Sequence, residues 1–161
     1  MPPDPEIFAL AQQVGERLLQ LRKSIAVAES CTGGLLGAAL TDVPGSSAYF
    51  LGGVISYADQ VKREQLGVSV ATLRRYGAVS EETAAAMASG VRQRLQADIG
   101  VSITGVAGPD AEGSKPVGLT FIGIAAGAVT THRFQWAGDR WDNRRRSVVA
   151  ALELLVRAPE L

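Results

Sequence analysis

The chain has 161 residues, 47% of them hydrophobic, which is enough to fill one well-packed core. Sixteen basic residues balance sixteen acidic ones, so no global field draws the protein onto nucleic acid or an anionic membrane. Cys31 has no partner for an internal disulfide, Cys31 and His132 cannot by themselves build a zinc centre, and neither a leader-like start nor an apolar run of membrane-spanning length is present; a cytoplasmic protein without metal or other cofactor is expected.

After a proline-rich start expected to fray, Ile7, Leu10, Val14, Leu18 and Leu21 recur at helical spacing and predict an amphipathic helix. Ser24 to Glu29 is a short apolar run read as a buried strand, and Cys31-Thr32-Gly33-Gly34 turns it into a small-residue helix. Phe50 to Tyr57 reads as a second strand, with Asp59 as the cap of a helix that carries Lys62 and ends near Gly67. A short helix is expected over Ala71 to Tyr76. Ser80 then caps a longer one, with Glu81 and Glu82 in its first turn and Ala84, Met87, Val91 and Leu95 along its buried stripe. Asp98 to Thr104 is a third strand, and Gly105 to Val117 is too rich in glycine and proline to be other than loop. Leu119 to Ala125 and Val129 to Trp136 suggest an antiparallel hairpin, its edge strand holding His132. Asp139 caps a last helix in which Trp141, Val148, Leu152 and Leu155 share a face. This order implies one three-layer α/β/α domain spanning the chain, with parallel strands early and an antiparallel element late.

In such a sheet the loops leaving the carboxyl ends of the strands share one edge, where ligands bind. Three segments therefore converge: Ser30 to Gly34, Tyr57 to Lys62 and Gly105 to Lys115. Ser30 sits where a strand turns abruptly into a helix, which exposes a hydroxyl and aims the amides around Thr32, Gly33 and Gly34 at whatever it attacks. A small residue before a Gly-Gly turn is often no more than tight packing, so the turn needs a base beside it to carry chemistry. His132 is far from these loops in the topology. Lys62, in the first turn of a helix, has its charged form disfavoured by the dipole and by burial, although most lysines on helices are simply solvated. Tyr57 either relays a proton or hydrogen-bonds the serine, or is a core aromatic with a wet hydroxyl.

Cys31 is the rival nucleophile, ranked below Ser30 because a lone buried cysteine is usually a small hydrophobe. Glu29 should point away from Ser30, where it orders the turn or is merely a strand-end charge. The Gly105 to Lys115 loop can wrap a phosphate or sugar but lacks the order of a P-loop, since Lys115 precedes Pro116. Arg140 and Arg144 stand one helical turn apart and can pair with a phosphate, whereas Arg145 and Arg146 read as a solvated face.

On Ala28 to Gly34, Ser56-Tyr57 with Lys62, Gly77 to Ser80, Thr104 to Pro109 and Lys115 to Gly118, the sequence resembles the C-terminal domain of the CinA proteins, the nicotinamide-nucleotide amidohydrolase family. The likeness runs from Ile7 to Leu155. It implies a three-layer α/β/α sandwich with a five-stranded mixed, mostly parallel sheet. It also implies hydrolysis of the carboxamide of nicotinamide mononucleotide by a serine and a lysine without metal, here Ser30 and Lys62 with Tyr57 as helper. Substrate contacts are expected from Thr32, Gly33, Gly34, Thr104, Gly105, Gly108, Lys115, Arg140 and Arg144, the partner being a small nucleotide and neither nucleic acid nor membrane. Homo-oligomerisation is a family-level expectation. Longer members carry a preceding domain resembling molybdopterin-binding proteins, for which 161 residues leave no room. Asp110 to Ser114 is shorter and poorer in glycine than in relatives, which puts the contacts of that loop in question. The rival readings are a catalytically silent nucleotide-binding module and an amidase dependent on Cys31.

Overall fold

A computed structural model describes residues 2–161. The first helix, α1 (Pro5–Leu21), begins within the proline-rich start: the Asp4 carboxylate accepts the amides of Glu6 and Ile7, and Pro5 takes the first helical position, where its missing N–H is no loss. Arg145, itself partly exposed, pairs with Asp4 and Glu6 from the far end of the chain and so ties down this start. Arg146 pairs with Asp142 one turn back. Leu21 lies outside the buried stripe that Val14 and Leu18 occupy.

Five strands follow: β1 (Ile25–Glu29), β2 (Phe50–Ile55), β3 (Ile99–Gly105), β4 (Leu119–Ala126) and β5 (Ala128–Gln135). They form one mixed sheet in the order β2-β1-β3-β4-β5. β2, β1 and β3 run parallel, β4 pairs antiparallel with β3, and β5 pairs antiparallel with β4 and so returns to the direction of the core. The last two strands turn at Gly127, whose φ of 99° suits a residue without Cβ. Ser24 lies outside β1; its hydroxyl and amide are tied to Asp98, whose carboxyl that amide holds below the usual range.

The remaining helices are α2 (Leu35–Thr41), α3 (Asp59–Leu66), α4 (Val70–Tyr76), α5 (Glu81–Leu95) and α6 (Arg140–Arg157). α1, α2 and α6 pack together over one face of the sheet, burying Leu18, Leu36 and Leu152 against Ile25, Val101 and Ile122. α5 covers the other face with Met87 and Val91, and α3 and α4 lean on it. Trp141 is 73% exposed and lies off the buried stripe; the Arg144 guanidinium stacks over its ring. α3 also begins differently from expectation. Its cap is Ala58, and Asp59 is the first helical residue, supplying negative charge to the helix start and no capping bond.

Candidate active site

The parallel core strands end together. The Ser30 amide extends the ladder to Ile103 of β3, and the Ser56 amide extends it to Glu29 of β1, so the residues following β1 and β2 are held side by side at the carboxyl edge. Ser30 leaves β1 there and is 8% exposed. Lys62 reaches back from α3 to the same point and is 1% exposed. Its Nζ stands 3.1 Å from the Ser30 Oγ, 2.7 Å from the Ser56 carbonyl and 3.0 Å from the Tyr57 carbonyl. The two carbonyls fix the amine while the serine hydroxyl fills its third position. Burial pushes the Lys62 pKa below the ordinary lysine value; Asp59, 4.0 Å away, and Glu112 act in the opposite sense without reversing the direction. A buried amine whose charged form is disfavoured relative to a solvated lysine, in contact with a hydroxyl, is the arrangement that proton transfer from serine requires.

Glu29 explains why the turn holds its shape. It points away from Ser30, as alternation along a strand demands, and is 1% exposed. Its carboxylate accepts the Thr32 hydroxyl at 2.6 Å and the amides of Leu36 and Gly37 at 2.9 and 3.0 Å, which closes the start of α2 from inside the protein. The positive end of α2 is therefore already filled by a carboxylate of the chain. Within the turn the Gly33 amide is taken by the Ser30 carbonyl, leaving Thr32 and Gly34 as the members of that expected trio whose N–H groups have no protein acceptor among the described residues.

Ser30, Lys62, Tyr57, Thr104, Gly105, Gly108 and Arg140 line one cavity of about 250 Å³, so the three segments do converge. A wider basin of about 740 Å³ adjoins it, with Asp59 and Glu112 lining both; Lys115 belongs to the outer space together with Arg75 and Arg133. The Tyr57 hydroxyl is not brought to the serine. It receives a bond from Arg140 at 3.3 Å, and the contribution of Tyr57 to the pair is its backbone carbonyl. Arg144 is likewise turned elsewhere: its guanidinium donates to the Cys31 carbonyl at 3.0 Å and the Thr32 carbonyl at 3.3 Å, bracing the turn from behind. The buried Cys31 thiol has its pKa pushed up to about 12 by burial, which leaves it protonated and unreactive at neutral pH. His132 lies on β5, paired with Ile122 and away from the cavity.

Three further residues received no site role from the sequence, although Ala78 and Val79 fall within the Gly77 to Ser80 run that carries the resemblance. Ala78 and Val79, in the connection before α5, form part of the cavity wall, and Ala78 accepts the Thr104 hydroxyl at 2.8 Å. Asn143 of α6, 2% exposed, donates to the carbonyls of Ala107 and Gly138 at 3.0 Å each and accepts the Gly138 amide. The only hint of the latter in the sequence is an amide side chain placed four residues after the Asp139 cap.

Fold and site together define a class: a three-layer α/β/α protein with a mixed five-stranded sheet and a buried serine–lysine pair at its carboxyl edge. The family model described as the CinA C-terminal domain matches residues 7–158, and the chain belongs to that family. It is 53% identical over 150 residues to a CinA-like protein of Chlorobium limicola and 50% identical over 160 residues to one of Chlorobaculum tepidum. The matches cover 89% and 94% of this chain but 35% and 38% of those relatives, so the chain spans little more than a third of their length. A solved structure, the competence/damage inducible protein CihA from Agrobacterium tumefaciens, superposes with a TM-score of 0.92 at 39% identity, covering 97% of this chain and 96% of that one.

Proposed function

We propose that the protein is a serine–lysine amidohydrolase that converts nicotinamide mononucleotide to nicotinic acid mononucleotide and ammonia, a reaction of pyridine nucleotide salvage in the cytoplasm. The observation that carries this reading is the 3.1 Å contact between the Lys62 amine and the Ser30 hydroxyl, both buried in the wall of a cavity. Lysine lowered in pKa by burial is a competent base, Ser30 is the hydroxyl it contacts, and the neighbouring Cys31 does not compete because it is held as a thiol.

In the reaction, neutral Lys62 takes the Ser30 proton as the oxygen bonds to the carboxamide carbon, and the carbonyl electron pair moves onto its oxygen. Collapse of that intermediate expels the amine, which leaves as ammonia with the proton returned by Lys62. Water, deprotonated by Lys62 in turn, attacks the ester and frees Ser30 and the carboxylic acid. The inner cavity suits the pyridine carboxamide, and the adjoining basin receives the sugar and phosphate, the latter toward Lys115. Purified protein should release ammonia from the mononucleotide, and Ser30→Ala and Lys62→Ala should each reduce that release by at least about 10³-fold while remaining folded. Retention of near-normal turnover by Ser30→Ala overturns the assignment.

A further inference from the structure

The carbonyl oxygen that gains charge in this reaction needs donors; in the turn after β1 the unaccepted amides of Thr32 and Gly34 belong to residues outside the cavity lining, which leaves the Cys31 amide beside Ser30. Glu29 occupies the Leu36 and Gly37 amides, and Ser30 itself accepts from Gly33. The loop after β3, which lines the same cavity, offers another. Gly108 is buried there, and among the described residues no protein atom accepts its N–H, which is uncommon for a buried backbone donor.

The direction of that N–H follows from its neighbour. The peptide joining Ala107 to Gly108 is trans, so its C=O and N–H point in opposite directions. The C=O faces α6, where Asn143 donates to it at 3.0 Å, and Asn143 is not part of the cavity lining. The N–H accordingly points away from the Asn143 contact, and Gly108 itself lines the cavity. A second donor from α6, Arg140, holds the next carbonyl, that of Gly108, so two successive carbonyls are drawn to the helix. Gly108 has a φ of 99°, and a Cβ there would stand 2.8 Å from Val117, so both the backbone conformation and the space require glycine.

We infer that the Gly108 N–H is a donor to the substrate carboxamide oxygen, and to the oxyanion it becomes, and that Asn143 is the positioning residue that aims it. This rests on the amidohydrolase reading. As Ser30 Oγ bonds to the carbonyl carbon and its proton passes to Lys62, the π electron pair settles on oxygen, where the Gly108 N–H meets it. Such a donor acts mainly in the transition state and therefore bears on kcat more than on KM.

Asn143→Asp is nearly isosteric, keeps the acceptor for the Gly138 amide and removes both donated bonds. It should lower kcat by about 10²-fold with KM little changed. The ratio of turnover of nicotinamide mononucleotide to its thiocarboxamide analogue should fall in the variant, because sulfur profits less than oxygen from the donor that has been displaced. A role in folding alone lowers the melting temperature and leaves that ratio untouched, and this result overturns the inference. Should the variant not fold, wild-type protein treated with a fluorophosphonate decides the matter crystallographically. A Ser30 adduct with its phosphonyl oxygen within about 3 Å of the Gly108 nitrogen supports the inference. An adduct whose oxygen faces elsewhere overturns the inference alone, and the absence of any Ser30 adduct overturns both it and the amidohydrolase reading.

Discussion

Replacing Glu29 by glutamine tests whether a buried carboxylate holds the nucleophile turn. The side chain keeps its shape, but one of its two oxygens becomes an NH2 group that can accept nothing. Either the Gly37 amide loses its acceptor, or the Leu36 amide and the Thr32 hydroxyl lose theirs. A buried donor without a partner costs about 1–3 kcal/mol, and the surviving bonds lose their charge assistance, roughly a further 1 kcal/mol. The total is about 3 kcal/mol. At this chain length each kcal/mol lowers the melting temperature by about 2–4 °C, so a fall of about 6–12 °C is expected in calorimetry at neutral pH. Ammonia release at a temperature where the variant is folded should also fall by on the order of tenfold or more, since Ser30 immediately follows Glu29 and its turn is anchored by that carboxylate. A melting temperature within about 2 °C of wild type would refute the argument, because a carboxylate that organises the start of α2 cannot be neutralised so cheaply.

Because burial lowers the Lys62 pKa, kcat/KM should rise with pH through an apparent pKa below the ordinary lysine value of 10.5, measured from pH-rate profiles of ammonia release. The same shift makes the unfolded chain bind more protons than the folded one between the depressed pKa and 10.5, so stability should rise with pH across that window, and Lys62→Met should flatten the rise in denaturant titrations. Native protein at pH 8 should resist iodoacetamide, and Cys31→Ala should keep near-normal turnover, since the thiol is buried and raised in pKa. Gly15→Ala should destabilise the protein because its Cβ would press on the Tyr49 hydroxyl, which is buried without a partner; Tyr49→Phe should stabilise by about 1 kcal/mol and relieve part of the Gly15→Ala cost, the ring itself still standing close, a non-additivity that a double-mutant cycle reads directly.

Much of this architecture was legible because it rests on local pattern. The apolar run of β1, the glycines behind Ser30 and the placement of Lys62 on the helix after β2 sufficed to bring the serine and lysine to one edge, since right-handed crossovers leave parallel strands little choice. Glu29 was half legible: alternation gave its direction, but only the packed start of α2 shows that its partners are Thr32, Leu36 and Gly37. The arginines of α6 were only partly legible. Helical spacing set Arg140 and Arg144 apart from Arg145 and Arg146, and Arg140 does line the cavity, but only docking of the helix shows their partners: the Gly108 carbonyl, the nucleophile turn, the Asp4 cap and Asp142. Asn143 was hidden for the same reason, because a polar residue in a charged helix reads as solvated until the loop after β3 is laid against it.

The central claim is that Lys62 makes Ser30 nucleophilic. It is tested most directly by the rate at which a fluorophosphonate labels the intact protein, with peptide mapping to locate the label. Labelling confined to Ser30, accelerating with pH and abolished in Lys62→Met, is the expected result. Equal labelling of Ser30 in Lys62→Met, or a label found on Cys31 instead, would contradict it.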